Sequence, residues 1–218
     1  MDRTELLKLI NLTEELIPAG KANRPGTKIA PKFVTIHNTS NANAGADARA
    51  HSRFVRNTGF YLIQGKQHWV SWHYTCDDGV AIRHLPPTEK AYHAGPANSV
   101  SVAIEVCMNA GIDRAAADLR AARLAALLLF DFGLGIAGLR THKSWTGKNC
   151  PQLLIPGWNA FVAQVEGIRR SITSAGFVAM ESLSAGEEAA MAEAAAEYDD
   201  AEIDHEALAE AMRAEGPR

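Results

Sequence analysis

A histidine, a cysteine and two lysines crowd one short stretch, Thr141-His142-Lys143-Ser144-Trp145-Thr146-Gly147-Lys148-Asn149-Cys150-Pro151. Gly147 and Pro151 make it a poor helix or strand interior, so it reads as a loop. A His and a Cys this close suggest two ligands of one metal ion. Imidazole nitrogen and thiolate sulfur suit Zn²⁺, whereas Mg²⁺ and Ca²⁺ prefer oxygen donors. A catalytic zinc takes three protein ligands and leaves one position for water. The best third donor lies far upstream, at His37 in Val34-Thr35-Ile36-His37-Asn38-Thr39-Ser40. The plain alternative is that His37 caps a strand, His142 is a loop residue and Cys150 is a small buried one. The separation of His37 from His142 carries no local signature such as H-E-x-x-H, so both readings stand.

Metal-assisted hydrolysis also needs a group that moves protons. Glu105 interrupts the apolar run Ser101-Val102-Ala103-Ile104-Glu105-Val106-Cys107 and by alternation shares a face with Ala103 and Cys107. Partial desolvation there raises a carboxyl pKa, which suits a general acid or base. Lys148 offers an ammonium to a developing oxyanion, though a lone loop lysine is usually only solvated. His73, between Trp72 and Tyr74, faces either the site or the core, and His93 reads as a loop residue in contact with substrate. His51 and His205 read as surface helix residues, and His68 and His84 as structural. Trp69, Trp72, Tyr92 and Trp145 can stack on sugar rings, with a core role as the default for each.

The elements that must position these groups follow from periodicity and punctuation. Residues 4–16 suggest an amphipathic helix, and 33–36 a central strand delivering His37 at its end. A helix is expected over 44–57, a connection of unspecified form over 59–65, and strands over 69–76 and 79–85 joined at Asp77-Asp78-Gly79. Then come a loop at 88–99, a buried strand at 100–106, an Ala- and Leu-rich helix at 113–132 and a closing helix near 158–172. Strands separated by helices indicate an α/β fold with a central mixed sheet flanked by helices.

The net charge of −3 conceals an asymmetry: residues 181–218 hold 12 acidic and 2 basic residues, against 13 acidic and 20 basic in residues 1–180. A catalytic body at 1–175 and an acidic Ala/Glu-rich tail at 176–218 are therefore read separately. The tail is too poor in large apolar residues to bury a core alone, and the body is expected to fold without it. The mildly basic body suits a polyanionic surface, but its charges are scattered and no nucleic-acid-binding motif is present. Three cysteines without framework spacing argue against a disulfide scaffold. The N-terminus lacks the pattern of a signal peptide, and no span is long enough to insert in a membrane, so synthesis and folding in a cytoplasm are expected.

Six segments occur in order: Asn23-Arg24-Pro25-Gly26, Thr35-Ile36-His37-Asn38-Thr39, Ser71-Trp72-His73-Tyr74, Tyr92-His93-Ala94-Gly95, Ile104-Glu105-Val106-Cys107 and the stretch from His142 to Pro151. Together they resemble the type 2 zinc N-acetylmuramoyl-L-alanine amidases, in particular phage endolysins and prophage wall amidases, over residues 10–170. The resemblance implies His37, His142 and Cys150 as Zn²⁺ ligands in a groove on one face of the sheet. It also implies Glu105 as catalytic carboxylate, Lys148 as transition-state stabiliser and His93 at the groove rim; beside these, Trp72 and His73 are read from their own types and positions as further substrate contacts. The implied reaction is hydrolysis of the amide joining N-acetylmuramic acid to L-alanine in peptidoglycan, after release through the membrane by a holin-type agent. Where some relatives carry a catalytic Tyr, this chain has Trp72, which puts more weight on Glu105. A non-catalytic peptidoglycan-recognition protein and a zinc peptidase cutting within the stem peptide are the alternatives. Relatives without activity commonly lack the Cys ligand, which this chain keeps.

Overall fold

The computed structural model describes residues 1–173 and 204–214. Its strands are β1 (Leu12–Glu14), β2 (Phe33–Asn38), β3 (Phe60–Ile63), β4 (Lys66–Trp69), β5 (Tyr74–Cys76), β6 (Ala81–Arg83), β7 (Ser101–Val106) and β8 (Leu139–Thr141). Six of them form one sheet in the order β1-β6-β5-β7-β2-β8, in which only the β5–β6 pair is antiparallel. The helices are α1 (Arg3–Ile10), α2 (Ala48–Asn57), α3 (Arg114–Asp131), the single turn α4 (Lys143–Thr146), α5 (Trp158–Ser171) and α6 (His205–Ala214). The expected mixed sheet flanked by helices is the architecture observed.

Helix starts are fixed by acidic caps. The side chains of Asp2, Asp47 and Asp113 accept hydrogen bonds from the backbone N–H groups of Glu5, Ala50 and Ala116, satisfying donors that the first turn leaves open. Asp47 therefore starts α2 at Ala48, later than the periodicity implied. At the other end of α1, Asn11 takes a left-handed conformation (φ 53°) and stops the helix. Residues 12–14, expected as its continuation, instead pair with β6 as an edge strand.

The two faces of β2 and β7 differ in kind. Val34, Ile36, Val102, Ile104 and Val106 enter one aliphatic cluster with α1, α3 and α5, where Leu124, Leu129, Phe161 and Val165 are buried. On the other face, Ala103 joins a second cluster with Phe54, Val55, Tyr61, Val70 and Trp72, beneath α2 and the separate β3–β4 hairpin. That hairpin occupies the stretch for which the sequence suggested no form. Its turn places Gln64 and Gly65 both at positive φ (50° and 78°), and Gln carries no strong hairpin signal there.

Within the expected tail, residues 204–214 are described. Helix α6 lies on the second cluster: Leu208 is 2% exposed, and the backbone N–H of Asp204 donates to the Tyr61 hydroxyl at 2.9 Å. Residues of the tail therefore pack on the body's core, and the rest of its expected course, residues 176–203 and 215–218, lies outside the described residues. No described helix is long and apolar enough to cross a membrane.

Candidate metal centre

The parallel strands β7, β2 and β8 end on one side of the sheet. His37 lies directly opposite Glu105, and Ile36 lies opposite Thr141, so His142 follows at the same edge. The chain then makes the single turn α4 and reverses at Gly147, whose φ of 86° suits a residue without a side chain. The backbone N–H of Lys143 donates to the Cys150 carbonyl at 2.9 Å, closing the loop and returning Cys150 to β2. The expected loop is thus a strand end, a helical turn and an irregular return.

The ligand atoms of His37, His142 and Cys150 lie within 4.8 Å of one another, and all three residues are buried. The two Nδ1 atoms are 3.0 Å apart, and the Cys150 sulfur is 3.9 Å from His37 Nδ1. Donors around a tetrahedral zinc stand roughly 3.3–3.6 Å apart. Two nitrogens and one sulfur at these spacings form a zinc-type donor set, rather than one for a hard oxygen-seeking cation. Burial lowers the His142 pKa to about 4, with the Lys148 charge acting in the same direction, so the imidazole keeps the lone pair that a ligand needs.

Glu105 is 2% exposed, and neither carboxylate oxygen has a hydrogen-bond partner among the described residues. Its Oε1 stands 3.8 Å from His37 Nδ1. Burial raises its pKa to about 8, opposed only by the Lys148 charge. A buried carboxylate with no donor is costly unless a cation or substrate compensates it. The donor set beside it fits such a cation. Lys148 is felt electrostatically at both Glu105 and His142, which places its ammonium in the field of the site.

The three expected substrate contacts are all buried. His93 is not at a rim: it is 1% exposed, and its Nδ1 is 3.1 Å from His37 Nε2, on the side away from the other ligands. His73 is fully buried, its Nε2 2.8 Å from the Glu89 carbonyl while its Nδ1 accepts from the Ala103 backbone N–H. Trp72 donates to Thr75 Oγ1 at 2.7 Å from inside the second cluster. In this structure the polar atoms of both His73 and Trp72 are taken by protein partners. His51, expected at the surface, is also buried, with Nδ1 2.8 Å from the Asp47 carbonyl. Trp145 donates to Thr35 Oγ1 at 3.0 Å and packs edge-on to Phe33, tying α4 to β2.

Asn38 carries no signal of function in the sequence, yet it organises the loop. Its backbone N–H is 3.4 Å from the Cys150 sulfur, its Oδ1 accepts from the Leu153 N–H at 3.0 Å, and its Nδ2 donates to the Val106 carbonyl at 3.2 Å. Position next to His37 is the one hint, because these contacts run largely through the main chain.

The chain is 37% identical over 163 residues to the N-acetylmuramoyl-L-alanine amidase XlyA of Bacillus subtilis (strain 168), a match covering 73% of this chain and 52% of XlyA. The chain thus spans about half the length of that curated relative. The solved catalytic domain of XlyA superposes with a TM-score of 0.65 at 38% identity, covering 71% of this chain and 99% of that domain. A mutant endolysin from Bacillus subtilis gives 0.66 at 38% identity, covering 71% of this chain and 98% of that one. The family profile described as N-acetylmuramoyl-L-alanine amidase matches residues 26–153, a span that contains His37, Glu105, His142, Lys148 and Cys150. With more than half of its length matched, the chain belongs to the N-acetylmuramoyl-L-alanine amidase family.

Proposed function

We propose that the chain is a zinc-dependent peptidoglycan hydrolase that cleaves the amide between N-acetylmuramic acid and L-alanine of the stem peptide. The observation that carries this is the convergence of His37, His142 and Cys150 beside a buried carboxylate that accepts no hydrogen bond. These three residues would hold the ion. Bound there, zinc supplies Lewis acidity toward the amide carbonyl and makes hydroxide accessible near neutral pH. Glu105 takes a proton from the attacking water as the new C–O bond forms, and returns it to the leaving nitrogen as the C–N bond breaks in the collapse of the tetrahedral species. Its place 3.8 Å from His37 Nδ1 puts its carboxylate within reach of a water at the open metal position. Lys148 brings positive charge to the oxygen that becomes anionic. We further propose that the substrate is reached after export by another agent, as an endolysin would be.

The test is digestion of purified wall by the full chain, with metal content measured in the same preparation. The expected products are a free lactyl carboxyl on muramic acid and a new L-alanine amino terminus, lost on chelation or in Cys150→Ser. New termini elsewhere in the stem overturn the bond assignment. Full lysis by a verified metal-free preparation overturns the metal.

A further inference from the structure

His37 uses its two ring nitrogens for different neighbours. Nδ1 meets the other ligand atoms and the Glu105 carboxylate, whereas Nε2 meets His93 Nδ1 at 3.1 Å. We propose that His93 is a positioning residue for the metal, holding His37 in the tautomer whose proton sits on Nε2 so that the Nδ1 lone pair is left for the ion. This rests on the metal reading above and extends it to a residue outside the ligand set.

A neutral imidazole has one N–H and one lone pair. If Nδ1 binds the ion, Nε2 must carry the proton, and a buried N–H needs an acceptor. His93 Nδ1 is that acceptor, which puts His93's own proton on its Nε2, a buried atom with no hydrogen-bond partner among the described residues, so the pair leaves one N–H unsatisfied instead of two. In the reverse arrangement, His93 Nδ1 donates to His37 Nε2, the proton of His37 moves to Nδ1, and the ligand lone pair is lost. The pair therefore has one metal-competent state and one incompetent state. The orientation of His93 is built in. Its backbone N–H and that of Ala94 both donate to Asn98 Oδ1, at 2.8 and 2.9 Å, and the ring is almost wholly covered. The two rings meet edge to face, with centroids 5.2 Å apart and planes at 85°. The outer partner of a ligating histidine commonly sets metal affinity by 10–100-fold.

The test uses the full chain and two substitutions. His93→Phe keeps ring shape but removes the acceptor; His93→Gln restores one through its side-chain oxygen. Zinc affinity, measured by competition with a chelator, is expected to fall about 10–100-fold in His93→Phe and to recover to within a few-fold in His93→Gln. The visible spectrum of the cobalt-loaded protein should shift in the Phe variant and return in the Gln variant. Unchanged zinc affinity and cobalt spectrum in a folded His93→Phe protein overturn the proposal and leave the metal reading intact. Histidine ¹⁵N spectra of the zinc-loaded wild type decide it even if the Phe variant does not fold. They should show His37 protonated at Nε2 and His93 unprotonated at Nδ1, and a proton on His93 Nδ1 overturns the proposal. A wild-type chain that binds no zinc overturns the metal reading itself, and this one with it.

Discussion

The two faces of the β2–β7 pair differ as a foundation differs from a tool. One presents Val34, Ile36, Val102, Ile104 and Val106 to an aliphatic cluster held by apolar contact. The other presents Thr35, His37, Ser101 and Glu105, all buried, with the Glu105 oxygens lacking hydrogen-bond partners. Both faces rest on the same two strands and the same parallel register. The difference teaches that a well-packed face can support, one pleat away, a face that opposes folding. Buried polar groups held without partners cost stability, and active sites are where proteins keep them.

The largest expected effect separates the faces by chemistry. Glu105→Gln should lower wall hydrolysis about 10²–10⁴-fold while zinc content holds and the melt stays level or rises. A variant of normal activity would show that the polar face carries no proton-transfer group. Its neighbour Ile104 points to the opposite face, and Ile104→Ala should cost about 2–5 kcal/mol by denaturant titration, with the rate per folded molecule unchanged. A selective loss of activity would show that the faces are not separable.

The pH dependence of stability sharpens the same contrast. The native carboxyl of Glu105 titrates near 8, against an ordinary value of 4.5, so between those values the native state holds a proton that the unfolded chain has released. The associated stability is full below about pH 4.5, is lost at up to about 1.4 kcal/mol per pH unit as pH rises toward 8, and levels off above. Burial lowers His51, His73 and His142 to about 4 and acts oppositely: their contribution is full above 6.5 and is lost as pH falls toward 4. Metal-free wild type should therefore show the Glu105 slope only as its difference from Glu105→Gln, and identical pH profiles would remove Glu105 from the buried set. The smallest effect belongs to the flank. Leu208→Ala should cost about 2 kcal/mol with unchanged zinc affinity, and no loss of stability would show that α6 adds nothing to the body's core.

What could be read in the sequence tracks how local each determinant is. β2, β7 and α3 announce themselves through largely apolar or Ala/Leu-rich runs, and Asp113 and Gly133 mark the limits of α3. The hairpin does not, because Gln64 occupies a left-handed position without the usual Asn or Gly. Alternation places Glu105 on a face but does not say what covers it. The same gap hides the burial of Trp72, His73 and His93, since a loop or strand histidine looks alike in a core and at a rim. The residues for the donor set are recognisable, whereas their meeting depends on the pairing of β2 with β7 and β8, a long-range fact that spacing does not encode.

The cross-strand pairing of His37 with Glu105 has a consequence for timescale. Those two groups ride on central strands, where amide exchange requires opening close to the global free energy of unfolding. His142 and Cys150 flank a loop held by the Lys143–Cys150 backbone bond and by Asn38. Opening that loop breaks the Trp145–Thr35 and Asn38–Leu153 hydrogen bonds but no strand pairing, so the loop would be the fast half of the site and the sheet the slow half. Metal exchange should then follow the loop's clock, not the sheet's.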